Sequence, residues 1–204
     1  MTLQNIINGA QNIRKSRRAQ IDYSRTQGGV VRYQRQGPFT TTFEITPGYP
    51  THDVTDAFYG QYLSSLVGPY NVNFSSETVR TRGSFDSSVS DFRVDGVGQS
   101  GRTLSVDGLP PSTTDILRAG DTIRITGVEF TYVLVSDVNS SGTGTAILIL
   151  DMPIASSPGD NAQIFVGSEI LWPLYLEQVP DDLGLGRIPG FSSFGGTLVL
   201  REGQ

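Results

Sequence analysis

Residues 94–155 constrain the fold more than any other stretch, because strand and turn signals alternate there too closely for helices. They read VDGVGQSGRTLSVDGLPPSTTDILRAGDTIRITGVEFTYVLVSDVNSSGTGTAILILDMPIA. Residues 122–126 are a short β-branched run, 129–135 are aromatic and β-branched, and 145–150 are nearly all apolar. Gly, Asp, Asn or Pro bounds each of them. At least three strands follow. Asp121, Arg124 and Glu129 set charge beside apolar neighbours, as a strand with one wet face does, whereas residues 146–150 carry no polar side chain and are expected to be buried on both faces. NSSGTG at 139–144 offers residues that tolerate positive φ, and predicts a hairpin loop between the two strongest strands. A small closed or half-closed β-barrel is the expected result.

The order GxGQSGRTLxxDGLPPS, then LRAGDxIRITG, then a strand pair, then LDMPI, across residues 96–153, resembles a module of bacteriophage tail proteins, the distal-tail and baseplate subunits. The resemblance implies that Leu117-Arg118-Ala119-Gly120-Asp121 leads into a small β-barrel and that Asp151-Met152-Pro153 leads out of it. Residues 28–47, followed by an aromatic-rich helix ending at Gly68, resemble the start of those proteins. By resemblance, the chain is expected to be a structural virion protein and not an enzyme. It would be repeated in a ring, hexameric in the family, joining the tail tube to neighbouring baseplate proteins. DNA would meet it only in transit through a channel.

The rest of the chain reads as mainly β with some α, organised as a β-sandwich or tail-tube-like sheet with one packing helix, an N-terminal helical arm and the inserted barrel. Residues 1–20 are expected to form an amphipathic basic arm, 21–90 and 156–204 the main β domain, and 91–155 the barrel. Leu3, Ile6, Ile7, Ala10 and Ile13 recur at helical spacing, but a helix this short is marginal in water and needs a surface to dock on. Residues 29–35 and 39–46 flank Gly37-Pro38 and read as a hairpin or two adjacent strands. Thr51 can cap a helix near 52–67, whose apolar positions Val54, Phe58, Tyr62 and Leu66 fall four apart. Trp172-Pro173 interrupts a strand-like run and suggests an edge or a bulge. Ser-rich residues 84–90 and the Ser156 to Gly159 turn are the expected barrel boundaries.

Charge is polarised. The formal net charge of −5 conceals seven basic residues against Asp22 alone in residues 1–36, leaving eight basic and nineteen acidic residues beyond. Opposite charges on one molecule favour head-to-tail self-association or docking on an acidic neighbour. Arg14, Lys15, Arg17 and Arg18 place four cations in five residues. They would suit phosphate binding, yet a solvated arm or an arginine-to-carboxylate interface explains them without asking an acidic protein to hold DNA. Residues 180–196 form a long Gly-rich stretch whose Leu183, Leu185, Ile188, Phe191 and Phe194 would be buried either by a neighbouring subunit or by folding back on their own core. The expected interface residues are therefore Leu3, Ile6, Ile7, Ile13, Arg14, Arg17 and Arg18, with those five apolar residues.

Catalytic and cofactor signals are few. The chain has no cysteine and one histidine, His52, which stands with Asp53 and Asp56 at a helix start, where the helix dipole favours carboxylates anyway. Gly96, Gly98 and Gly101 match G-x-G-x-x-G, but a strand-like segment and Pro110-Pro111 follow in place of a phosphate-binding helix. No catalytic, cofactor or metal site is expected. The runner-up function is a carbohydrate- or receptor-binding tail module, drawing on Trp172 and the eight tyrosines. Residues 1–18 lack the pattern of a secretory leader and no apolar run approaches eighteen residues. Assembly in a host cytoplasm into the virion tail, without membrane insertion, is expected.

Overall fold

The computed structural model describes residues 3–25, 31–64, 69–86, 91–178, 183–185, 192–194 and 196–203. The fold is mainly β, with antiparallel sheets and, among the described residues, two α-helices. A five-stranded sheet takes the order β1 (Asn12–Arg25), β2 (Val31–Thr46), β13 (Leu198–Glu202), β10 (Leu171–Gln178) and β3 (Tyr70–Asn73). Helices α1 (Leu3–Asn8) and α2 (His52–Ser64) supply Leu3, Ile6, Ile7 and Phe58 to the core on its inner face. That core is aromatic at its centre: Phe43 stacks on Phe74 at 4.0 Å between ring centroids, and Trp172 meets Phe43 edge-on at 4.9 Å.

The long hairpin differs from the sequence expectation. Residues 12–25 are not an arm but strand β1, paired with β2 from Asn12↔Thr46 to Arg25↔Val31. Gly37-Pro38 is no hairpin turn either. The register passes from Ala19↔Phe39 to Ile21↔Arg35, so one residue of β1 opposes three of β2, and Gly37-Pro38 is absorbed as a bulge inside one strand. A local irregularity is what Gly-Pro signals; whether the chain reverses there depends on which partner strand is available. Pro173 likewise lies in β10, which runs between β13 and β3 and is not an edge strand. It is tolerated because pairing with β13 begins only at Leu174↔Glu202, so Pro173 faces a partner, Asn71, on one side alone.

The second body is a closed barrel. Strands β4 (Arg93–Val94), β5 (Thr103–Asp107) and β8 (Ala146–Ile149) form one three-stranded sheet. Strands β7 (Thr131–Val133), β6 (Thr122–Ile125) and β9 (Ile164–Val166) form the other. Two seams join them. Leu134↔Leu150 is bridged, with Val135 N donating to Ile149 O and Asp151 N to Val133 O, both at 2.9 Å. Arg93↔Gln163 closes the other side, with Val94 N donating to Ala162 O and Ile164 N to Phe92 O, both at 3.0 Å. Every barrel strand therefore has two neighbours, which removes its edges. The closing strand β9 lies past the Ser156 to Gly159 turn at which the sequence places the exit.

Turn chemistry explains why so short a stretch closes. Gly108 has φ +75°, and a Cβ there would stand 1.8 Å from Asp91 O, so the DGLPPS segment can cross β4 only with glycine. The NSSGTG loop turns tightly at its tip, as expected of a hairpin between β7 and β8: Gly144, at φ +78°, donates its N–H to Ser141 O at 3.0 Å, and Ser141 N donates to Thr145 O at 2.8 Å. Val138 pairs with Leu117, Asn139 Oδ1 accepts from Asp115 N at 2.7 Å, and Ser140 Oγ from Thr113 N at 2.9 Å. The connection from β7 to β8 thus becomes part of the wall over the 113–117 segment.

Residues 146–150 are not buried on both faces. Ile147 is 66% exposed and Ile149 44%, while Leu148 and Leu150 point into the core. The run is an alternating barrel strand whose outer positions happen to be isoleucine.

Candidate assembly surface and the charged joint behind it

Strand geometry sorts the four cations of residues 14–18. Alternate side chains point to opposite faces of a sheet, so Lys15 and Arg17 share a face with Ile13, while Arg14 and Arg18 share the other with Ser16. The inward pair meets the barrel. The outward pair is exposed.

Arg17 is the centre of the inward set. Its Nε lies 2.9 Å from Asp151 Oδ2, Nη1 donates to Thr41 Oγ1 at 2.9 Å and Thr131 Oγ1 at 3.3 Å, and Nη2 donates to Thr131 O at 2.8 Å. The guanidinium also covers the Phe39 ring at 5.7 Å. Asp151 uses its other oxygen to accept from Val133 N at 3.0 Å. Glu202, fully buried at the end of β13, accepts from Thr131 N at 2.7 Å and Thr131 Oγ1 at 2.9 Å. Sheet and barrel are thus joined through a largely buried network in which Thr131 bridges an arginine and a glutamate.

Lys15, the chain's one lysine, extends this joint. Its ammonium donates to Thr122 Oγ1 at 2.8 Å and sits 5.1 Å from the Trp172 ring centroid. Burial lowers its pKa to about 8, with Arg17 adding repulsion and Glu202 opposing both. Burial also lowers the Arg124 pKa, opposed by Glu202, and that guanidinium donates to Leu171 O. Tyr132, whose hydroxyl accepts from Ala155 N at 3.0 Å, has its pKa raised chiefly by burial.

A second anchor holds the 82–83 segment. Asp121, fully buried, accepts from Arg82 N at 2.6 Å, Gly83 N at 3.2 Å and Arg118 N at 2.8 Å. The Leu117 to Asp121 motif therefore works through its terminal carboxylate, which gathers backbone donors from two segments.

The residues expected at an interface are divided by the structure. Leu3, Ile6 and Ile7 are buried in the chain's own sheet core and Ile13 packs against it, so the helix finds its docking surface within the molecule. Arg17 is consumed by the joint. Arg14 and Arg18 remain exposed, opposite Glu44 and Thr40 of β2. Residues 180–196 are not an unbroken loop, since β11 (Leu183–Leu185) pairs with β12 (Ser192–Phe194) from Leu183↔Phe194 to Leu185↔Ser192. The side chains of Leu183, Leu185 and Phe194, and all of Ile188 and Phe191, lie outside the described residues.

Sequence reasoning missed Lys15, Thr131, Asp151 and Glu202 as one cluster. Period-two alternation through Ile13, Lys15 and Arg17 was the available signal. No local pattern points from there to Glu202. His52, Asp53 and Asp56 open α2, and no group of three or more His, Asp or Glu among the described residues could hold a metal ion. Gly96, Gly98 and Gly101 lie between β4 and β5 with φ of 90°, 75° and 76°, in a turn that leads into a strand. No described helix is long and apolar enough to cross a membrane. No protein-family model matches the chain, and no curated protein is significantly similar to it.

Proposed function

We propose that this chain is a structural subunit of a tailed-phage virion, which assembles into a ring at the distal tail or baseplate and joins the tail tube to its neighbours. The observation that carries the reading is the placement of charge. Arg14 and Arg18 stand exposed on edge strand β1, while the barrel exposes Asp91, Asp95, Glu129, Asp137 and Asp160 against Arg102 and Arg118, a net acidic surface. Unlike charge on two parts of one subunit suits the contacts this reading needs, either head-to-tail with the next copy or docking on an acidic neighbouring protein. The motif order across residues 96–153 supplies the link to tail proteins. Sugar stacking is less favoured, because Trp172 is fully buried beneath Lys15.

Light scattering behind size exclusion, with negative-stain imaging of the main peak, tests the reading. Rings that dissociate as salt is raised are the expected result, since the screening length falls from about 8 Å at physiological salt to about 3 Å at 1 M and weakens contacts between exposed charges. A chain that stays monomeric at every concentration and salt, and is absent from purified tails, would overturn it.

A further inference from the structure

We propose that the edge of β1 over residues 12–19 is a docking site for one extended strand of a different protein, carrying carboxylates at alternate positions. The inference rests on the assembly reading above and names the chemistry of a partner.

The sheet ends in two unlike edges. At β3 the Gln4 side chain occupies the edge as a neighbouring peptide would, accepting from Asn73 N at 2.9 Å and donating to Asn73 O at 2.8 Å. Helix α1, which carries Gln4, is fixed by three buried apolar side chains. At the opposite edge, β1 pairs with β2 alone among the described strands. It contains neither proline nor glycine, and its register is unbroken from Asn12 to Ala19. That is about 26 Å of pairing-competent backbone at roughly 3.3 Å per residue. The inward side chains hold the strand rigid against the barrel, so a partner would meet a preformed template.

Elimination then names the occupant. A second β1 would set Arg14 and Arg18 against their own copies, and like charges directly opposite across strands are unfavourable. A second β3 is plugged by Gln4. The barrel is closed and has no edge to give, and β11 (LGL) and β12 (SSF) are three residues long and carry no carboxylate. Cations on an edge strand are a known guard against self-pairing. The same guard attracts an acidic strand, whose alternate carboxylates reach Arg14 and Arg18 on the outer face.

The test uses three labelled ten-residue peptides and the full chain, read by fluorescence anisotropy and by hydrogen exchange at residues 12–19. One peptide alternates Glu with Thr and Val, one has the same composition with its Glu residues blocked at one end, and one replaces Glu by Lys. Expected are binding of the alternating peptide, several-fold weaker binding of the blocked one, none of the Lys peptide, and slowed exchange along β1. Arg14→Gln with Arg18→Gln should weaken binding about tenfold, as two exposed charge pairs allow, with an unchanged thermal melt. Arg14→Glu with Arg18→Glu should abolish it. Equal binding of alternating and blocked peptides would reduce the site to diffuse charge attraction, and no binding of either would end the proposal. Peptide binding belongs to the single chain and ring formation to light scattering, so each idea can fail while the other stands.

Discussion

The barrel and the five-stranded sheet solve the same problem in opposite ways. The barrel bends six strands of two to five residues into closure and leaves no backbone edge. The sheet spends 14 and 16 residues on one hairpin and ends in two edges, one plugged by Gln4 and the other guarded only by charge. Several barrel ties are shorter in range, with Asn139 and Ser140 reaching the 113–115 segment and Gln99 Oε1 accepting from Ser105 N at 2.6 Å, although the Arg93↔Gln163 seam joins the barrel's two ends. The joint is long-range, with Arg17 meeting Asp151 and Thr131 meeting Glu202. Closure gives a body that can be carried as a unit, whereas open edges give a molecule something to assemble with.

The sharpest way to break this comparison is to ask whether the two bodies unfold together. Phe43→Ala in the sheet should cost about 3–5 kcal/mol and Leu148→Ala in the barrel about 2–5 kcal/mol, since both side chains are fully buried. Trp172, the one tryptophan, reports on the sheet core and the joint above it, while far-UV circular dichroism reports on both bodies. The buried joint predicts one transition. In Leu148→Ala the tryptophan midpoint in urea should fall with the circular dichroism midpoint. A tryptophan transition left in place would show that the barrel unfolds independently.

Asp121→Asn tests the second anchor and should cost less, about 1–3 kcal/mol, because the amide keeps one acceptor but loses the charge that three backbone donors converge on. Hydrogen exchange should rise first at Gly83 and Arg118. An effect spread evenly over the barrel would mean that Asp121 supports the core as a whole and not these two segments.

Legibility in the sequence follows the range of the interactions. The barrel could be read because its instructions are local: Gly108 at a crossing where no Cβ fits, and turn residues at each strand end. β1 could not be read in the same way. Four cations in five residues resemble a solvated arm until a partner strand 22 to 30 positions away gives them two faces. Ile6 and Ile7 showed that α1 needed a surface, but nothing in their spacing says that the surface is their own sheet. Glu202 sits near the chain's end without a motif, and only the folded register brings it to Thr131. Residues 146–150 misled for the converse reason: an all-apolar run carries no alternation to mark which side chains face water.

Acidity should register at the joint through Lys15. Its folded-state pKa, about 8, lies below the ordinary 10.5, so between those values the unfolded chain binds the proton that the folded chain has released. Unfolding takes up protons there, and stability rises with pH across the window. Below about pH 8 the cost of burying the cation is carried in full. Urea melts from pH 7.5 to 9.5 should therefore show a rising midpoint in the wild type and a flatter profile in Lys15→Met. Measurement stays below pH 10 because Tyr132, held protonated by burial, contributes the opposite slope once unfolded tyrosine ionises. An unchanged slope in Lys15→Met would mean that the lysine reaches water and that the joint is wetter than its geometry implies.

The smallest effect belongs to the barrel's outer surface, where Val135 and Ile149 face each other across the seam with Ile147 two residues along, and Val135 is 52% exposed. If closure of the backbone and the inward row of Leu148 and Leu150 hold this wall, the outward row is dispensable. Ile147→Thr with Ile149→Thr should then move stability by less than about 0.5 kcal/mol each, because threonine keeps β-branching and little burial is lost. A loss above about 2 kcal/mol in the urea midpoint analysis would show that the outer side chains are covered in solution. Dilution separates the two ways in which that could happen. A concentration-dependent wild-type midpoint would place a second molecule over the patch, whereas a concentration-independent one would assign the cover to the chain itself.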